Sequence, residues 1–248
     1  MESIEILGCR LDLLDEDEAV EAILRFARSG EGAQVVTLGT EMVVYAQRDP
    51  AFRAVVNASA LSLCDTIGVL RVARSRGAAL RDRVTGVELV EGLCRRAAAE
   101  ELPVYFFGGA EGVAADAAAI LEVRYPGLVV AGTRNGFFTS EEEPAIVDAI
   151  RASGARIVFA GLGSPRQEMW LARSVRAIGC GAGIGVGGSF DVISGRVKRA
   201  PMIWRQLGIE WLYRLIREPQ RVRRQLALPY FVWLAALDRL GLRREERQ

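Results

Sequence analysis

The sequence contains no histidine among its 248 residues, so any proton transfer must fall to other side chains. This excludes Ser-His-Asp and Cys-His catalytic groups as well as His-ligated metal sites. The strongest candidate for a general base is Asp65, because it directly follows the apolar run at residues 61–64. An acid at the carboxyl end of a parallel strand reaches the crevice where such sheets bind ligands. The alternative is that Asp65 caps a helix beginning near Thr66.

Two further polar residues could line the same crevice. Thr37 lies near the end of the preceding apolar run, at residues 35–38, and we expect it to face the crevice. Arg83 lies in a loop before a predicted helix, where the alternative is an ordinary exposed arginine.

Glycine-rich turns follow several of the apolar runs. Gly108 and Gly109 precede one helical segment, Gly163 precedes another, and four glycines surround the run at residues 184–186. Glycine lets backbone N–H groups approach a ligand closely, and helix N-termini favour phosphate. Gln167, just after the Gly163 turn, can donate and accept hydrogen bonds, which suits sugar hydroxyls or a uracil edge. Together the turns predict a nucleotide site, although each could also be purely structural.

Other nucleotide and metal motifs are weak or missing. No GxxxxGK[ST] motif is present, which excludes a P-loop, and no clean GxGxxG motif is present. Asp15-Glu16-Asp17 has the DxD form of a metal–diphosphate motif, but it belongs to an acidic run that is typical of a solvated helix start. The four cysteines form no CxxC motif and are interpreted as buried structural thiols.

Strand-like runs alternate with helical segments over the first 190 or so residues. This alternation predicts an α/β fold with a mostly parallel sheet and helices on both faces. Ser140 with Glu143 has the spacing of a capping box. The predicted strands contain residues 35–38, 61–63, 104–107, 128–130, 157–159 and 184–186, and the clearest helical segments are residues 112–124, 141–151 and 166–178.

The C-terminal part of the chain differs in composition from the rest. Residues 196–248 carry 13 basic and 5 acidic side chains, whereas the whole chain has a net charge of only +1. The segment also contains twelve mostly apolar residues, 226–237, with a tyrosine, a phenylalanine and a tryptophan. We expect residues 1–195 to form the core and residues 196–248 a helical appendage. Basic and aromatic residues together suit a membrane surface, and the alternative is a helical hairpin packed on the core.

A series of motifs follows in order along nearly the whole chain: Thr37 with Glu41, Asp65 with Gly68, Arg83-Val84-Thr85-Gly86, Phe107-Gly108-Gly109, Tyr125-Pro126-Gly127-Leu128, Gly136-Phe137-Phe138, Gly161 to Glu168, Gly185 to Asp191, Arg199-Ala200-Pro201 and Gly208 to Pro219. By these motifs the sequence resembles the bacterial WecG/TagA/CpsF glycosyltransferase family. It departs from the family pattern at Gly39, where the family has asparagine, and at Thr66, where the family has glycine.

The resemblance implies a Rossmann-like, inverting transferase. Because no convincing DxD motif is present, we expect arginines and helix N-termini to take the place of a metal ion, and we expect no cofactor. The resemblance also implies a UDP-sugar donor of the N-acetylmannosamine type or a related hexose, a polyprenyl-diphosphate-linked sugar acceptor, and action at the cytoplasmic face of the membrane in cell-surface polysaccharide synthesis. By similarity Asp65 would be the base, and Arg214, Arg221 and Arg224 would engage the diphosphate from the appendage.

Two other functions remain compatible with the sequence alone. A nicotinamide-dependent oxidoreductase would use a similar sheet, but the glycine spacing disfavours it. An adaptor without transferase activity would use the basic tail to bind nucleotides or a membrane surface, and we expect no nucleic acid partner. The sequence leaves the oligomeric state open, a homo-oligomer included.

Overall fold

The computed structural model of the protein describes residues 1–198, 200, 201, 204, 212, 213, 215, 227–240 and 242. In that part of the chain, strands and helices alternate as the sequence predicts. The strands are β1 (Ser3–Ile6), β2 (Cys9–Asp12), β3 (Ala33–Leu38), β4 (Leu61–Cys64), β5 (Val104–Gly108), β6 (Val130–Arg134), β7 (Ile157–Gly161) and β8 (Ala182–Gly185). The helices are α1 (Glu16–Ser29), α2 (Thr40–Ala46), α3 (Pro50–Ala58), α4 (Ile67–Ser75), α5 (Gly86–Glu100), α6 (Val113–Arg124), a 3-10 turn (Ser140–Glu142), α7 (Glu143–Ala152), α8 (Arg166–Ile178), α9 (Ser189–Ile193) and α10 (Ala227–Arg239).

Six strands form one parallel sheet in the order β4-β3-β8-β7-β5-β6. The central strands are buried on both faces, as their apolar runs require. The predicted α/β, Rossmann-like fold is therefore confirmed. A separate hairpin of β1 and β2 was not predicted, because four-residue strands carry little periodicity.

Helices cover both faces of the sheet. One face carries α1, α5, α6 and α9 over a core that includes Phe106, Phe159 and Phe190. The opposite face has two parts: α7 and α8 cover the strands near Phe107, while α2, α3, α4 and α10 cover the strands near Leu38. All parallel strands consequently end at one edge of this three-layer structure, where ligands bind in such folds.

Two sequence expectations about the β6 region are wrong in detail. The strand begins at Val130 instead of residue 128, because Leu128 closes a turn by donating its N–H to the Tyr125 carbonyl. The capping box is formed by Thr139 and Glu142, one residue before the predicted pair, and it opens the 3-10 turn that leads into α7.

The described end of the chain packs on the core through α10. Phe231 is fully buried and Leu234 nearly so, in a cluster with α2 and α4. Arg76 forms an ion pair with Asp238. Among the described residues, no helix combines the length and the apolarity needed to span a bilayer.

Candidate active site at the carboxyl edge of the sheet

Asp65 lies at the carboxyl edge of the sheet, directly after β4. Its N–H donates to the Leu38 carbonyl at 3.2 Å, and its Oδ1 accepts from the Gly86 N–H at 3.1 Å. Gly86 is the first residue of α5, so the carboxylate of Asp65 lies at the positive end of that helix. The interpretation of Asp65 as a cap of the following helix is wrong, since Thr66 is the N-cap of α4. The half-buried carboxylate is thus oriented by a different helix.

Arg83 lies beside the same strand end. The Val84 N–H donates to the Cys64 carbonyl at 2.6 Å, which holds this loop against the end of β4. Burial raises the pKa of the Cys64 thiol to about 12; the Asp65 charge adds to the rise and the Arg83 charge opposes it. Both charges therefore act on one buried thiol, which stays protonated and is no nucleophile.

Thr37 is buried on β3, the neighbour of β4. Its hydroxyl donates to the Gly185 carbonyl of β8 at 2.8 Å, so it joins two adjacent strands near the carboxyl edge. Thr37, Arg83 and Asp65 therefore lie at the β4 end of the carboxyl edge. Contact of these side chains with a ligand stays a prediction.

Gln167 has a bracing role that sequence reasoning did not reveal. Its Oε1 accepts from the N–H groups of Gly163 and Gly187, at 3.1 and 3.0 Å, and its Nε2 donates to Glu168 Oε1 at 2.7 Å. The side chain thereby joins the turns that follow β7 and β8. A hydrogen bond from Gln167 to a sugar or to uracil stays a prediction.

Glu168 is fully buried, and burial raises the pKa of its carboxyl. Glu168 also lies in the first turn of α8. No signal in the sequence marks a glutamate at this position as buried, because burial depends on how α8 packs on β3 and β8.

Gly108 and Gly109 have a structural reason for being glycine. Gly108 has a φ of 139°, and a Cβ atom there would overlap the Gly161 backbone of the neighbouring strand. The Gly109 N–H donates to the Gly161 carbonyl at 3.0 Å. Contact of Gly108, Gly109 or Gly163 with a phosphate stays a prediction.

The predicted site residues are spread along the carboxyl edge of the sheet. β4, which carries Asp65, and β5, which ends at Gly108, are separated by three strands. At about 4.8 Å per strand, their ends lie roughly 19 Å apart. The structure thus brings Asp65, Thr37 and Arg83 together at one end and places Gln167, Gly163, Gly108 and Gly109 farther along.

Gly39 and Thr66, the two departures from the family pattern, are neighbours in space. A Cβ atom on Gly39 would lie 3.3 Å from Cγ2 of Thr66 and 4.0 Å from Oδ2 of Asp65. Arg214, Arg221 and Arg224 lie outside the described residues.

The acidic run at the start of α1 is a helix start, as the sequence indicates. Asp15 and Glu18 form a reciprocal capping box, with Asp15 Oδ1 accepting from the Glu18 N–H at 3.0 Å. Within the described ranges, the structure contains no group of three or more acidic or cysteine side chains that could hold a metal ion.

Residues 4–245 match the sequence model of the Glycosyl transferase WecG/TagA/CpsF family. The chain belongs to this family. The match covers nearly the whole sequence, so it includes the strand ends, the glycine turns and the C-terminal segment together. Members of the WecG/TagA/CpsF family are glycosyltransferases of cell-surface polysaccharide synthesis, which makes this chain a sugar-transferring enzyme with a sugar donor and an acceptor substrate. The oxidoreductase and adaptor alternatives are set aside by this membership.

Proposed function

We propose that this glycosyltransferase moves a sugar from a UDP-sugar to a polyprenyl-diphosphate-linked sugar, with inversion and without a metal ion. The observation that carries the proposal is the Asp65 carboxylate at the carboxyl edge, oriented by the first N–H of α5. The donor sugar would be of the N-acetylmannosamine type or a related hexose.

The chemistry needs one base and one way to hold the departing diphosphate. Asp65 would accept the proton of the acceptor hydroxyl while that oxygen forms a bond to the anomeric carbon. The bond from the anomeric carbon to the UDP oxygen breaks at the same time, and UDP leaves with the electron pair. Attack from the side opposite UDP inverts the anomeric configuration.

Stabilisation of the leaving diphosphate would come from guanidinium groups. Arg83 lies near Asp65, and an arginine fork binds phosphate oxygens in pairs. The glycine turns lie along the same edge of the sheet, and an edge of this length, roughly 19 Å from β4 to β5, suits an extended nucleotide-sugar. Arg214, Arg221 and Arg224 would complete the site from the C-terminal appendage, residues 196–248.

Peripheral binding at the cytoplasmic face of the cell membrane would bring the lipid acceptor to this site. The support comes from α10. Its Phe231 is fully buried against the core, whereas its Val232 and Trp233 are more than half exposed. Exposed Leu240 and Leu242 follow directly. Apolar and aromatic side chains beside a basic segment suit the headgroup region of an anionic membrane.

The test is a transfer assay with the full-length protein. A panel of UDP-sugars is incubated with a lipid-diphosphate-linked N-acetylglucosamine acceptor, and product and UDP are quantified. The proposal predicts product with at least one UDP-sugar, in the presence of a chelator, with inverted anomeric configuration. Transfer only from another nucleotide-sugar, or retention of configuration, would overturn it.

A further inference from the structure

The start of α2 lacks the side-chain cap that a helix usually receives from its own N-cap residue. That N-cap is Gly39, which has an extended backbone and makes no side-chain cap hydrogen bond. The Thr40 N–H donates to Oγ1 of Thr66, at 3.2 Å, so the cap comes from the turn after the neighbouring strand. A hydroxyl that accepts from a first-turn N–H supplies the stabilisation that serine or threonine supplies at an N-cap.

The methyl group of Thr66 also lies beside the start of α2. Cγ2 lies 3.3 Å from where a Cβ of Gly39 would be, and that Cβ would lie 4.0 Å from Oδ2 of Asp65. Thr66 therefore packs against the backbone of Gly39, next to the carboxylate. Although Thr66 is also the N-cap of α4, its side chain makes no cap hydrogen bond to that helix.

Asp65 is held through its backbone, its carboxylate and its covalent neighbour. Its N–H is bonded to the Leu38 carbonyl, its Oδ1 accepts from the Gly86 N–H, and its covalent neighbour Thr66 is tied to the start of α2. A β-branched side chain has one strongly restricted χ1 angle, so both Thr66 contacts fix the backbone of the turn as well.

We propose that Thr66 is a positioning residue, which directs the Asp65 carboxylate by tying the β4–α4 turn to the Gly39 end of β3. The proposal rests on the proposed function, because it takes Asp65 as the base. It makes Gly39 and Thr66 one coupled pair: the small residue at position 39 leaves the space that the Thr66 methyl occupies.

Single variants at Thr66 separate positioning from simple helix capping. Thr66→Val keeps the branched shape and loses the acceptor, whereas Thr66→Ser keeps the hydroxyl and loses the methyl. We expect Thr66→Val to lower kcat for sugar transfer about tenfold, with donor KM changed less than about twofold, because misorientation of a base affects the reacting state more than binding. Thr66→Ser should retain more of the wild-type kcat.

Asp15→Ala is the matched control, since it removes the cap of α1 outside the site. It should lower the unfolding temperature comparably to Thr66→Val and leave kcat unchanged. An equal loss of kcat in Asp15→Ala would show that cap removal acts only through stability and would overturn the positioning role. So would a wild-type kcat in Thr66→Val.

A double-variant cycle tests the coupling and stays informative if Thr66→Val does not fold. Gly39→Ala should lower kcat because its new methyl crowds Cγ2 of Thr66, and Gly39→Ala with Thr66→Ser should regain activity relative to Gly39→Ala alone. If the two substitutions instead lower kcat independently, so that their losses multiply, the inference is contradicted.

The variant Asp65→Asn, assayed in parallel, distinguishes failure of the proposed function from failure of this inference. Wild-type turnover in Asp65→Asn would refute the role of Asp65 as the base. An inactive Asp65→Asn together with a fully active Thr66→Val would refute only the role of Thr66.

Discussion

At the scale of single residues, the shape of the carboxyl edge depends on buried polar side chains that hold its turns together by hydrogen bonds. Gln167 joins two glycine turns, and a carboxyl oxygen of Glu168 accepts a hydrogen bond from the amide of Gln167. A carboxyl that is fully buried at this place lowers the stability of the fold when it ionises, because the interior solvates a charge poorly.

Glu168→Gln should therefore raise the free energy of unfolding above that of wild type, and this difference should grow as the pH rises. The raised pKa means that the folded state holds the Glu168 proton more tightly than the unfolded state, so wild-type stability falls as the pH rises above the ordinary carboxyl pKa of about 4.3. Thermal unfolding at pH 5 and pH 8 measures this, with roughly 2–4 °C expected for each kcal/mol. Glu122→Gln, on the exposed side of α6, is the control. An equal effect of Glu168→Gln at both pH values would contradict the prediction.

At the scale of elements, the ends of β5 and β7 lie so close together that Gly108 leaves no room for a side chain. Gly108→Ala should destabilise the protein by about 3 kcal/mol or more, because the added Cβ meets the backbone of Gly161. Gly163→Ala is the matched comparison, since its φ is also positive but its Cβ would meet nothing within 4 Å. Its cost should stay near 1–2 kcal/mol. Urea denaturation measures both, and equal losses would contradict the close approach.

The exposed side of α10 should carry membrane binding. Replacing Val232 and Trp233 by serine should reduce binding to anionic vesicles at least about tenfold, because two apolar side chains then no longer enter the interface. Co-sedimentation measures the binding. Val123→Ser on α6, at a valine that is even more exposed, should bind as wild type. Unchanged binding by the α10 variant would place the membrane contact elsewhere.

At the scale of the whole molecule, charge is distributed unevenly along the sequence. The basic residues concentrated in residues 196–248 should give vesicle binding that strengthens with the fraction of anionic lipid and weakens with salt. Co-sedimentation with neutral and anionic vesicles at about 50 and 300 mM salt tests this. Binding that is equal for both lipids, or insensitive to salt, would contradict an electrostatic role for the segment.

The sequence predicted the architecture well, because alternating strands and helices leave few topologies open. The observed α8 has the predicted bounds, and Asp65 lies at the predicted edge. The roles of Gln167 and Thr66 were not predictable, since each depends on turns that are far apart in sequence and meet only when the strands pair. The capping box near residue 140 was displaced by one residue because two overlapping pairs, Thr139–Glu142 and Ser140–Glu143, satisfy the same pattern.

The central claim is that the Asp65 carboxylate takes the proton of the acceptor hydroxyl. The most direct measurement compares kcat for lipid-linked product formation in wild type and Asp65→Asn, with UDP affinity measured on the same preparations. We expect kcat to fall by about 10²–10⁴-fold while UDP affinity changes less than about threefold, because an amide of the same shape cannot accept the proton. Turnover at the wild-type rate in Asp65→Asn would contradict the account.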